Sequence, residues 1–166
     1  YQLITDSHKT TTLAAVKILL QNPASIHEFM TVVKTDKSPF SMRAANIIEK
    51  ASEIHPPIIQ RQIKNIKSVL ETSTIEGVRR SFLRIFTHYN FSKNKPLQSF
   101  LLNYCFNRLA DHNEAIAPRA YSMLILAKLS HNYPDIKHEL LHTIDIITQE
   151  NYSAGLQAMS RNLFKK

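Results

Sequence analysis

The run His138-Glu139-Leu140-Leu141-His142 is the place in this chain where residue types and spacing most nearly spell out a reaction. Two imidazoles four residues apart lie on one face of a helix, a turn apart, and can hold Zn²⁺ while the glutamate between them activates a metal-bound water. The chemistry also needs a third ligand and a substrate cleft. Asp145 and Thr148 stand where a glycine and a third histidine would follow, and Glu150 is the nearest acid beyond them. A simpler account fits the same residues. Ile136, Leu140, Ile144 and Ile147 recur at helical spacing and must face a core, which leaves His138, His142 and Asp145 toward solvent. No catalytic, metal-binding or cofactor-binding residue is assigned, and no cofactor is expected.

The second candidate is electrostatic. The chain carries 21 Lys and Arg against 13 Asp and Glu, a formal net charge of +8. Between residues 61 and 95, Arg61, Lys64, Lys67, Arg79, Arg80, Arg84, Lys93 and Lys95 face only Glu71 and Glu76. Arg61, Lys64 and Lys67 repeat every three residues, opposite the apolar stripe of their helix. With Arg79, Arg80 and Arg84 they form the candidate binding surface, able to steer phosphates or acidic proteins. Base stacking lacks obvious platforms, because there is no Trp and the Tyr and Phe side chains fall mostly on core stripes. Cys105 is the lone cysteine, set in an apolar run without a histidine at a legible spacing. It reads as a small buried hydrophobe rather than a nucleophile.

The elements that must position these residues are helices. Only 2 of 166 residues are Gly, which disfavours hairpins and Gly-rich phosphate loops alike. The first stripe is Leu13, Val16, Leu19 and Leu20, and the second, after Asn22-Pro23, is Ile26, Phe29, Met30 and Val33. Met42, Ala45, Ile48, Ala51 and Ile54 follow Pro39. Ile59, Ile63, Ile66 and Leu70 then follow Pro57 in one helix reaching about Glu71. Thr72-Ser73-Thr74 offers N-cap hydroxyls to a helix bearing Val78, Phe82, Ile85 and Phe86. Pro96 opens a helix with Leu97, Phe100, Leu101, Tyr104, Cys105 and Leu109 inward. The stretch from Glu114 to Glu150 holds two more helices, and a last one carries Leu156, Met159 and Leu163. About nine helices and no strand are predicted. No apolar run approaches the roughly 18 residues that cross a bilayer, and no signal peptide is visible. A soluble, reducing, cytoplasmic setting is expected.

The helices repeat. Pro23, Pro57, Pro96 and Pro134 stand 34, 39 and 38 residues apart, and Arg43, Arg79, Arg119 and Gln157 stand 36, 40 and 38 apart. Two interleaved series with nearly one period mark a helical repeat, in which each two-helix unit buries its apolar faces against its neighbours. The units fall at about 10–35, 39–71, 74–110 and 114–150, with a terminal helix at 153–164, all in one domain spanning 1–166. Period, two-helix unit, polar corner and the Arg43-Ala44 and Arg119-Ala120 steps resemble HEAT and armadillo repeats. Asp36 and Asp111 stand where HEAT units often carry an Asp before the Arg, while Thr72 takes that place in between. The resemblance implies an all-α, α-α superhelix of about four helix pairs plus a terminal helix.

The segments Arg119-Ala120-Tyr121-Ser122-Met123 and Ser153-Ala154-Gly155 are similar to those of short bacterial HEAT-like proteins, some of which carry the name adenylosuccinate lyase. The signature loop of that enzyme, ending in Lys-x-Asn-Pro, has no counterpart here. The expected function is therefore a non-enzymatic scaffold or adaptor binding a protein partner on its concave face. The alternatives are a nucleic-acid-binding solenoid using the basic 61–95 window, and an enzyme of the lyase or zinc type. No membrane partner is expected.

Overall fold

A computed structural model describes Ile4 and residues 8–131, 133–149 and 153–164. All regular structure among them is helical: α1 (Lys9–Gln21), α2 (Ile26–Lys34), α3 (Phe40–Ile54), α4 (Ile63–Thr72), α5 (Glu76–His88), α6 (Lys95–Ala110), α7 (Ile116–Ser130), α8 (Pro134–Gln149) and α9 (Ala154–Phe164). Short 3₁₀ segments span Pro23–Ser25 and Pro56–Gln62. No described helix is long and apolar enough to cross a membrane.

The contacts divide the chain into two compact units, Tyr1–Tyr89 and Asn90–Lys166. In the first, α3 packs on α1, α2 and α5, while α2 touches α4. In the second, α7 packs on α6, α8 and α9, while α6 touches α8. Within each unit, then, first helices lie on first helices and second helices on second helices. This is the two-layer stacking that an unsatisfied apolar face on every helix requires. The most enclosed helix of each unit is the one with neighbours on several sides. Ala44, Ala45, Ile47, Ile48 and Ala51 of α3 are buried, as are Ala120, Met123, Ile125, Leu126, Ala127 and Leu129 of α7. Alanines at these positions let the backbones approach closely.

Several expected details change. Leu13 is 51% exposed and Ile54 64% exposed, while Ala15, Val16 and Leu19 carry the buried face of α1. A helix at the edge of the layer buries a narrower stripe than its apolar residues would allow. Ile54 lies in the last turn of α3, where the chain leaves the core toward Pro56. The helix expected from Pro57 to Glu71 is two elements. Pro56 and Pro57 occupy its first two positions, the Ile58 amide bonds back three residues to His55 (3.0 Å), and the chain stays 3₁₀ until Gln62. Phe100 and Tyr104, expected inside, are half-buried and stack on each other with centroids 5.5 Å apart.

The corner hydroxyls also act differently. Ile75, not a hydroxyl residue, is the N-cap of α5 and has no side-chain capping bond. Ser73 Oγ accepts the Ile75 amide at 3.2 Å and gives its own proton to Asp36.

Candidate interaction surface

The recurring arginines are fastened to backbone. Arg79 donates to the Ser73 carbonyl at 2.9 Å, and Arg119 donates through Nε to the Leu109 carbonyl at 3.0 Å. Each guanidinium thus satisfies a carbonyl released where a helix ends or a corner begins. Arg43 donates to the carbonyl of Ile4 at 3.1 Å.

The basic residues separate into two groups. Arg84 lies on the side of α5 that meets α3, its Nη2 2.9 Å from Glu53 Oε1 and its Nε 3.4 Å from Glu49 Oε1. Arg80 is half-buried on the same helix. Arg79 and Arg84 are thus held in the first-helix layer by acids and carbonyls. Arg61, Lys64 and Lys67 belong to the other layer. Gln62, Ile66, Val69 and Leu70 turn inward from the Pro56–Thr72 segment, which leaves Arg61 and Lys64 exposed and Lys67 half-buried. The 3₁₀ turn, with three residues per turn, carries Arg61 around toward the Lys64 side.

A residue absent from the sequence-based set joins them. Lys34, at the end of α2, donates to Asn65 Oδ1 of α4 at 2.7 Å. Asn65 in turn donates to Gln62 Oε1 at 2.7 Å, and the buried Gln62 amide meets His27 Nδ1 at 3.1 Å. This polar seam locks α2 to α4 and brings the Lys34 ammonium onto the face that bears Arg61 and Lys64. The signal was spacing: His27 and Gln62 stand 35 residues apart, and Lys34 and Asn65 stand 31 apart, each close to one repeat.

The remaining chemical candidates have ordinary places. His138, Glu139 and His142 are exposed on α8, while Leu140, Ile144 and Ile147 are buried beneath them. Thr148 and Glu150 lie outside the residues whose side chains are described. Among the described residues no three His, Cys, Asp or Glu side chains are grouped to hold a metal. Cys105 is fully buried, and burial pushes its thiol up to about 12.

Repeat period, two-layer stacking and the arginines that tie corners to helix ends meet one further finding. The chain matches the HEAT repeat domain family over residues 1–166. It belongs to that family. No curated protein and no solved structure matches it, so the likeness to HEAT-like proteins that carry the name adenylosuccinate lyase finds no support. HEAT repeats supply a helical-repeat scaffold in which each unit packs on its neighbours. In this HEAT repeat protein the α2–α4 face brings together Lys34, Arg61 and Lys64, all exposed, and the half-buried Lys67.

Proposed function

We propose that this HEAT repeat protein is a non-enzymatic scaffold that binds an acidic protein partner on its second-helix face. Lys34, Arg61, Lys64 and Lys67 make the contacts. The observation that carries this reading is the 2.7 Å bond from Lys34 to Asn65, which joins the cations of two successive repeats on one face. Two adjacent helices presenting cations at fixed spacing suit a partner segment with acids at matching intervals, and such steering acts mainly on association rate. The net charge of +8 favours the same class of partner. Of the rest of the basic set, Arg84 ties α5 to α3 through Glu53 and Arg79 ties it to the Ser73 carbonyl at the end of α4. A reducing, cytoplasmic setting suits the unpaired Cys105 thiol.

The test is capture of partners from native lysate with the wild type and an Arg61→Ala/Lys64→Ala/Lys67→Ala variant, each with and without nuclease. A protein retained through nuclease treatment and lost with the triple variant supports the reading. Retention that disappears with nuclease, together with oligonucleotide binding that weakens steeply with salt, replaces it with a nucleic-acid partner. Turnover of adenylosuccinate, or stoichiometric zinc in untagged protein, would overturn it in favour of an enzyme.

A further inference from the structure

The second unit contains a cleft of about 240 Å³ where the start of α6 meets α7 and the start of α8. Leu102, Leu129 and Ile136 form its apolar side, and Lys95, Gln98, Ser99 and Tyr133 its polar side. The polar groups are ordered by a chain of hydrogen bonds. Gln98 Nε2 donates to the carbonyls of Phe91 (3.1 Å) and Ser92 (2.7 Å), which fixes the amide and leaves Oε1 as an acceptor. The Tyr133 hydroxyl donates to that Oε1 at 3.2 Å, so its oxygen is free to accept from Lys95 Nζ. The ammonium also lies 5.0 Å from the centre of the Tyr133 ring. Lys95 is thereby held at the rim of the cleft, and the bond to Tyr133 uses one of its three donors.

Lys95 and Gln98 sit in the first turn of α6, and Ile136 in the first turn of α8, with Tyr133 just before it. Asp135, in the first turn of α8, is exposed and does not line the cleft. Three aliphatic side chains and a tethered cation lining one cleft suit an anion with an apolar body. The volume lies below the roughly 300–1,000 Å³ of sites for drug-sized ligands, which restricts that body to a few carbons. A single ammonium acts as a point charge and suffices for a monoanion, whereas a phosphate dianion leaves charge for further donors to meet.

We propose that this cleft binds a small aliphatic carboxylate, the carboxylate on Lys95 and the hydrocarbon between Leu102, Leu129 and Ile136. The same chemistry ends a polypeptide whose last residue is aliphatic, so the ligand is either a free acid or a chain terminus. The site lies in the second unit and is independent of the α2–α4 face.

The test is titration of the ¹⁵N-labelled full chain, followed by amide spectra, with four probes: 4-methylpentanoate, its neutral primary amide, and acetyl-Ala-Leu with a free and with an amidated C-terminus. The expected result is saturable shifts of Lys95, Gln98, Ser99 and Ile136 at millimolar concentrations. Lys95→Gln should weaken carboxylate binding about tenfold without changing binding of the neutral amide. Leu102→Phe, which fills the apolar end, should abolish binding of every probe. Both substitutions fall on exposed or half-buried positions, and unchanged dispersion of the spectra confirms the fold. Tighter binding of the free-carboxylate peptide than of the small acid identifies a chain terminus, and the reverse identifies a free acid. Equal binding of acid and amide, insensitivity to either substitution, shifts outside the cleft, or none up to about 20 mM overturns the proposal.

Discussion

Asp36 Oδ1 accepts the Ser73 hydroxyl at 2.6 Å, so the corner that ends the first repeat closes the corner that ends the second. The other carboxylate oxygen accepts the Thr74 amide at 3.0 Å and the Thr74 hydroxyl at 2.8 Å. Asp36 has φ 47°, a conformation Asp tolerates better than most residues because its short side chain can bond locally. Burial acts to raise its pKa. The bonds from Ser73 and Thr74 and the charge of Arg79 outweigh it, and the carboxyl is held below the ordinary 3.8.

A lowered folded pKa means stability that is present above the unfolded value and lost as pH falls through the folded one. Asp36→Asn keeps the backbone conformation and two of the acceptor geometries but removes the charge. It should cost about 1 kcal/mol at neutral pH and nothing well below pH 3.8, where Asp36 is protonated in both states. Asp36→Ala adds backbone strain and should cost more at every pH. Urea unfolding of both variants across this range checks the pair, and a pH-independent loss for Asp36→Asn would show that the charge contributes nothing.

Gly77, in the first turn of α5, lies close against Met42 of α3. A Cβ placed there would overlap Cγ and Sδ of Met42. Gly→Ala in a helix gains up to about 1 kcal/mol, less in a first turn, whereas overpacking costs about 1–3 kcal/mol. Gly77→Ala should therefore lose roughly 1 kcal/mol overall, by the same balance. In a Met42→Ala background the clash is gone, and the same substitution should become neutral or stabilising. Comparing the four denaturation midpoints measures that coupling.

The helices and their period were legible because both rest on local pattern: apolar spacing, corner prolines and a recurring arginine. The α4 segment defeated the reading in part, since Pro56-Pro57 fixes the start of an element without saying how long its first turns stay 3₁₀. The basic residues could not be sorted from sequence for a different reason. Arg84 and Lys64 look alike in sequence, and only the packing of α5 on α3 gives one of them Glu49 and Glu53 while the other meets solvent. The polar pairs that fasten the repeats were visible in principle. Ser52–His88, Asp36–Ser73, His27–Gln62 and Gln98–Tyr133 stand 36, 37, 35 and 35 residues apart. Pairing polar residues one period apart, rather than scanning for motifs, would have found them.

Cys105 should resist alkylation. The thiolate is the reactive form, and a buried thiol pushed up to about 12 has almost none of it at pH 8. Labelling of the native chain with a maleimide should proceed only through unfolding, at a rate that rises steeply with urea. Stoichiometric labelling within minutes in the absence of denaturant would show that Cys105 is accessible.

Glu49 gives the opposite pH dependence from Asp36. Its side chain sits between α3 and α5 with 1% of the residue exposed. Burial raises its pKa above the ordinary 4.5; the charge of Arg84 pulls it down, and the neighbouring Glu53 pushes it up again. The Arg84 Nε lies 3.4 Å from Glu49 Oε1, near enough to attract but without the geometry of a hydrogen bond to that oxygen. A carboxyl whose folded pKa is raised contributes stability that is fully present below the unfolded value and lost as pH rises through the folded one. Glu49→Gln keeps the shape and removes the buried charge, and Arg84 retains Glu53 at 2.9 Å, so no cation is stranded. The variant should match the wild type at about pH 3, where Glu49 is neutral in both states, and should be the more stable protein at pH 7. The measurement is the difference between the two unfolding free energies as a function of pH. A variant less stable at pH 7 would show that the attraction of Arg84 outweighs the cost of burying the charge.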